Sequence, residues 1–151
     1  MKLSTRCRYA TLALFDIAFH AGDAPTQVRQ IAERQDIPLR FLEQIFQDLK
    51  RANLVEGKRG RKGGYQLSLP PSEISVGDIV RATEGPIEAC LGADDTPDGP
   101  PVNGRDICAL AWMEITEQVA VIFDNLSLAQ LVHRAQAAGI TRDVAGYMYF
   151  I

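Results

Sequence analysis

Between Leu39 and Leu69 the apolar residues change period once, and that change constrains the fold more than any other feature. Through LRFLEQIFQDLKRANL, Leu42, Ile45, Phe46 and Leu49 recur at the spacing of one helix face. LVEG and YQLSL then alternate, as strands do, and flank the stretch KRGRKGG. Its glycines let a backbone turn sharply and approach another surface closely, so the stretch is predicted to be the tip of a β-hairpin. Upstream, Ser4 or Thr5 is placed to cap a helix running to about His20, with Tyr9, Ala10, Ala13, Leu14, Ile17 and Ala18 on its apolar stripe. AGDAP breaks it. Thr26 then caps a short helix, QVRQIAERQ. DIP makes a tight turn, and Pro38 suits the first position of the helix that follows. Two short helices, a tight turn, a third amphipathic helix and a glycine-tipped hairpin spell a winged helix-turn-helix.

Charge agrees with that outline. The chain is acidic overall, at −3, yet Lys58, Arg59, Arg61 and Lys62 put four of its 16 Lys and Arg on the hairpin tip. Residues 1–69 carry 12 Lys and Arg against 7 Asp and Glu, whereas residues 70–151 carry 4 against 12. A basic front half on an acidic back half suggests that the front meets a polyanion. The physics fits duplex DNA. A helix fills the major groove, where Arg40 pairs with guanine edges, Gln44 and Gln47 with adenine, and Glu43 with a cytosine amino group. The cationic tip follows a phosphate backbone or places an arginine in the narrow minor groove. The competing expectation is a winged helix that docks an acidic protein. An enzyme has no motif behind it: no nucleophile–base pair, P-loop or paired carboxylates occur. His20 ends the first helix and suits its dipole, and His133 reads as a surface or interface residue.

Beyond the wing, Ser75 and Asp78 form a capping box that opens VGDIVRATEG, which Gly85 stops. GADDTPDGPPVNGRD, between Cys90 and Cys108, reads as an exposed loop. A long helix is predicted from about Cys108 to Asn125, with Trp112, Ile115, Val119, Ile122 and Phe123 on one stripe. Ser127 and Gln130 cap a last helix. The fold class is therefore mainly α: a winged helix-turn-helix with a small β-hairpin wing and a long C-terminal helix. The domains are residues 1–85, a loop at 86–107, and the long helix, last helix and tail at 108–151. The N-terminus mimics a signal peptide, but Asp16 and His20 interrupt its apolar run. No segment has the roughly 18 apolar residues of a membrane span. Three cysteines, Cys7, Cys90 and Cys108, do not make a disulfide framework. A cytoplasmic location is the expectation.

STRCRYAT, IAERQDIPLRFLEQIFQDLKRANLVEGKRGRKGGYQLS and ISVGDIVRATEG together resemble the IscR/NsrR/CymR (Rrf-type) family of bacterial transcription regulators. The resemblance implies a homodimer joined by the long C-terminal helix, in which the third helix and wing bind a palindromic operator in double-stranded DNA as a repressor. Leu42–Phe46 matches the recognition-helix core, with Phe41, Glu43 and Gln44 at its DNA-facing edge. Arg59 matches the wing arginine expected in the minor groove, and Tyr65 closes the wing motif. Relatives often have RGPGGGY where this chain has RGRKGGY, so Arg61 and Lys62 add phosphate attraction. Many members hold an iron–sulfur cluster, 2Fe–2S or 4Fe–4S, on three cysteines of the loop plus a fourth ligand. Cys90 and Cys108 match the first and last of these. The middle cysteine is missing, and the histidine found three residues after the last is Ala111 here. Cys7 sits beside Arg8, the position from which some relatives supply a ligand to the partner. Cys7 of one chain could therefore join Cys90 and Cys108 of the other, with a fourth ligand from Asp94, Asp95, Asp98, Asp106 or a small molecule. The alternatives are a thiol pair that senses oxidants, or inert cysteines.

Overall fold

The computed structural model describes residues 3–20, 22, 24–91 and 97–142. Among these residues seven α-helices and one hairpin follow in the order α1 Thr5–His20, α2 Val28–Gln35, α3 Leu39–Arg51, β1 Val55–Lys58, β2 Gly64–Leu67, α4 Val76–Glu84, α5 Ile87–Leu91, α6 Gly104–Asp124 and α7 Leu128–Ala137, with a 3-10 turn at Pro71–Glu73 ahead of α4. The chain is mainly helical, with a winged helix-turn-helix at its front.

The predicted stripes do most of the packing. Ala10, Ala13, Leu14 and Ile17 of α1 close on Ile31 and Ala32 of α2 and on Leu42, Ile45, Phe46 and Leu49 of α3. Ile74, Ile79 and Leu128 join the same core. Each large apolar side chain withdrawn from water in this way contributes about 1.5–3 kcal/mol. A second, smaller core gathers Cys7, Val76, Val80 and Ile87, with Val119, Ala120 and Phe123 of α6 against them.

The helix starts differ in detail from the sequence reading. The α2 cap is Gln27, whose N–H donates to Gln30 Oε1 at 3.2 Å. Thr26 is drawn away because its backbone pairs with Tyr65 in both directions at 2.8 Å. Pro38 stands at the cap of α3, one residue ahead of the first helical position. That helix stops at Arg51, since Asn53 takes a left-handed φ of 56°. Ser75 and Asp78 cap α4 as read, and Ser127 and Gln130 cap α7. The helix α5 lies where a loop was expected. Helix α6 starts four residues early because the Asn103 side chain accepts from Asp106 N–H at 3.1 Å.

The stripe of α6 is an apolar surface that the described residues leave largely uncovered. Trp112 is 61% exposed, Ile115 47% and Ile122 69%. Val119 and Phe123 are half-buried, and Thr116 is the one residue of this helix that is fully enclosed.

Candidate nucleic-acid interface

Because Leu42, Ile45, Phe46 and Leu49 turn inward, the opposite face of α3 must carry Arg40, Glu43, Gln44 and Gln47. All four are exposed and together line one shallow groove along the helix. Neither Arg40 nor Glu43 takes part in an ion pair among the described residues. Their charges and amide groups are free to meet a ligand. Phe41 differs from these four. It is half-buried, edge-on to Tyr9 of α1 with ring centroids 5.8 Å apart, and so braces α3 on its own chain.

The hairpin pairs Val55 with Leu67, Glu56 with Gln66, Gly57 with Tyr65 and Lys58 with Gly64. Its tip folds back through Gly63 N–H to the Gly60 carbonyl at 2.9 Å, with Gly60 at a φ of 118° that L side chains rarely adopt. Arg59, Arg61 and Lys62 project from it, exposed and without an ion-pair partner among the described residues. Lys58 is committed elsewhere: its Nζ lies 2.8 Å from Glu56 Oε1, which also accepts from Gln66 Nε2 at 2.5 Å. Those two donors, Lys58 first, hold the Glu56 carboxyl below the usual carboxylate range. Of the four tip cations, three are therefore uncompensated.

Tyr65 is not at the tip. Its ring packs at 4.7 Å on Phe46 of α3, and its backbone pairs with Thr26 ahead of α2. Gly64 makes this approach possible, because a side chain there would run into the Thr26 carbonyl. The wing and α3 are thus braced as one piece through Phe46, Tyr65 and Thr26.

One supporting group escaped the sequence reading. Asp16 lies fully buried on α1 and accepts from Arg34 Nε at 3.0 Å, Arg34 Nη2 at 2.5 Å and Gln35 Nε2 at 2.7 Å. His20 stands one turn on, at 3.9 Å. This clamp ties α2 to α1, since a buried carboxylate needs its donors. The available signal was an acidic residue inside the apolar stripe of α1. A second tie, Asp48 of α3 with Arg6 of α1 and Arg51, restrains the far end of α3.

The cysteines do not converge into a metal site. Cys7 is 1% exposed, in the small core of its own chain. Burial, the main effect, raises its thiol pKa; Thr83 hydrogen bonding opposes this, and the negative Glu84, with Cys90 whenever it is ionised, adds to it. Cys90 is half-buried on α5, its thiol 3.9 Å from the Glu84 carbonyl, and is raised by burial, then by Glu84 and Glu88. Cys108 is exposed on α6. Asp94 and Asp95 lie outside the described residues, Asp98 is exposed, and Asp106 is spent on the α6 cap. No three His, Cys, Asp or Glu among the described residues are grouped to hold a metal. The described donors of one chain do not fit an iron–sulfur cluster.

Residues 3–134 match the Rrf2 family, described as iron-dependent transcriptional regulators. The chain belongs to this family. It is similar to the HTH-type transcriptional regulator IscR of Aliivibrio salmonicida, 37% identical over 134 residues that make up 87% of this chain and 77% of that protein. IscR of Yersinia pseudotuberculosis is 35% identical over 135 residues, 88% of this chain and 80% of the other. Among solved structures, CymR, the global cysteine regulator of B. subtilis, superposes with a TM-score of 0.71 at 31% identity, covering 89% of this chain and 98% of that one. T. potens IscR gives 0.72 at 29% identity, with 97% of each chain covered. The Rrf2 protein described here is accordingly a DNA-binding transcription regulator and not an enzyme. Among its described residues no helix is long and apolar enough to cross a membrane.

Proposed function

We propose that this Rrf2 protein is a homodimeric repressor that grips a palindromic operator with α3 in the major groove and the wing on the flanking backbone. In this reading Arg40, Glu43, Gln44 and Gln47 meet base edges, and Phe41 supports them from behind. Arg59 enters the minor groove, Arg61 and Lys62 meet phosphates, and Tyr65 holds the wing to α3. The observation that carries this is the Phe46–Tyr65–Thr26 brace, which makes an exposed polar helix face and three uncompensated cations one rigid surface. The exposed apolar stripe of α6, from Trp112 to Ile122, supports its role as the dimer helix.

The affinity is set by the state of the segment between Cys90 and Cys108, which joins the winged unit to α6. Ordering or releasing that segment shifts the separation of the two recognition helices, and half-sites about one helical turn apart feel small shifts. The half-buried Cys90 and exposed Cys108 support a thiol-state signal better than a cluster, given the incomplete donor set.

Fluorescence anisotropy on a duplex from the gene's own upstream region tests the DNA reading. Saturable binding that competing duplexes of unrelated sequence fail to displace is expected, and equal displacement by any duplex would refute it. Iron and sulfide counts on anaerobically purified protein test the gate: a metal-free, colourless protein is expected, and stoichiometric iron with sulfide would return the gate to a cluster.

A further inference from the structure

The C-terminal end of α6 meets the winged unit at one compact joint. Val76 N–H donates to the Leu126 carbonyl at 2.8 Å, and Leu128 N–H to the Ile74 carbonyl at 2.9 Å. Ser75 and Ser127, which cap α4 and α7, thereby face each other in an antiparallel bridge. Two residues into α4, Gly77 leaves a gap that the Asp124 carboxylate occupies. That carboxylate accepts from Arg81 Nη2 at 2.5 Å, and Arg81 reaches back to Asp78 Oδ1 at 3.4 Å. Asp78 is the capping carboxylate of α4, accepting from Ser75 N–H at 2.9 Å. A side chain at position 77 would push the Asp124 carboxylate aside, and a displaced Asp124 releases Arg81.

Toward its N-terminal end α6 is open on one side, with Arg105, Ile107, Cys108, Leu110, Ala111 and Trp112 exposed, while Ala109 and Met113 on the inner side are half-buried. About 24 Å of axis separates Cys108 from Asp124 at the joint. A tilt of about 8° at the joint displaces the far end by about 3.4 Å, which is one base step along a DNA strand. Exposed ion pairs contribute little to stability. The design at this point therefore concerns angle: a missing side chain, a carboxylate in its place and an arginine that orients it.

We infer that Gly77, Arg81 and Asp124 are positioning residues that fix the angle between the dimer helix and the winged unit, and so select the half-site spacing of the operator. The inference rests on the dimeric operator-binding reading above. None of the three touches DNA in that reading; they act through the placement of α3 and the wing.

The test is selection by the full-length protein from a random-sequence duplex library, with the centre-to-centre spacing of the enriched inverted arms as readout. The parent should enrich paired arms at one spacing. Arg81→Ala and Gly77→Ala should enrich the same arms with the spacing shifted or spread by at least one base pair. On the parent's preferred duplex these variants should bind about tenfold more weakly, and on their own preferred spacing they should recover to within about twofold of the parent. Arg81 is exposed, so its variant keeps the test usable if Gly77→Ala folds poorly. An unchanged single spacing in both variants overturns the inference, and so does uniform weakening at every spacing, which would mark a merely structural role. A parent that enriches arms but never in pairs overturns the dimeric reading itself, and the inference with it.

Discussion

The winged unit and α6 treat the same kind of residue in opposite ways. In α3 the apolar stripe is wholly enclosed, with Phe46 at 0% exposure, whereas in α6 Trp112 stands at 61% and Ile122 at 69%. Both helices carry apolar residues at helical spacing, and periodicity alone does not say what covers them. The winged unit finds its cover within the chain, through α1, α2 and the hairpin. Helix α6 is seated along Ala109, Met113, Thr116, Val119, Ala120 and Phe123 and leaves its other face open. The first stripe accordingly sets the stability of one chain. The second is the surface through which we propose that two chains assemble.

That division breaks first, and most visibly, at Phe46. Phe46→Ala should cost about 3–5 kcal/mol in denaturant unfolding, because it removes a fully enclosed ring and the seat of Tyr65 together. The clamp on α1 should come next. Asp16→Ala should cost about 2–3 kcal/mol: removing one partner of a buried pair is expensive, and the partial exposure of Arg34 moderates it. Trp112→Ala should leave the unfolding of one chain nearly unchanged and weaken dimerisation about 30-fold in sedimentation equilibrium. A large loss of single-chain stability there, or an unchanged dimer, would erase the distinction between the two stripes.

The smallest effect concerns Cys7, where α1 meets the second core. Its folded pKa is raised by burial, so its contribution to stability is complete below the ordinary thiol value of about 8.5 and is lost as pH rises through the folded value. Cys90 is raised in the same direction, so Cys7→Ala should flatten the alkaline decline in part rather than abolish it. A decline as steep in Cys7→Ala as in the parent would show that this thiol is not held neutral by the fold.

Local rules were legible in the sequence and long-range ones were not. The α3 stripe, the Ser75–Asp78 and Ser127–Gln130 capping boxes and the glycine-tipped hairpin follow from spacings of a few residues, and they stand as read. Thr26 was read as a cap because its type suits one, but a partner 39 positions away, Tyr65, claims its backbone. The proline- and glycine-rich stretch before Cys108 hid the Asn103–Asp106 cap. Glu56 likewise gave no warning that it would take Lys58, a pairing that depends on the hairpin register. The Gly77–Asp124 fit needed two helices to meet before it could be seen.

The claim that most depends on measurement is that α3 and the wing form one surface for duplex DNA. It is tested most directly by the salt dependence of binding to the upstream duplex. With three uncompensated tip cations per protomer, six per dimer, log K against log salt should fall with a slope of about −5. Arg61→Ala should flatten that slope by about 2, whereas Lys58→Ala, whose charge is already shared with Glu56, should flatten it less. A flat parent slope, or an Arg61→Ala slope equal to the parent's, would contradict the account.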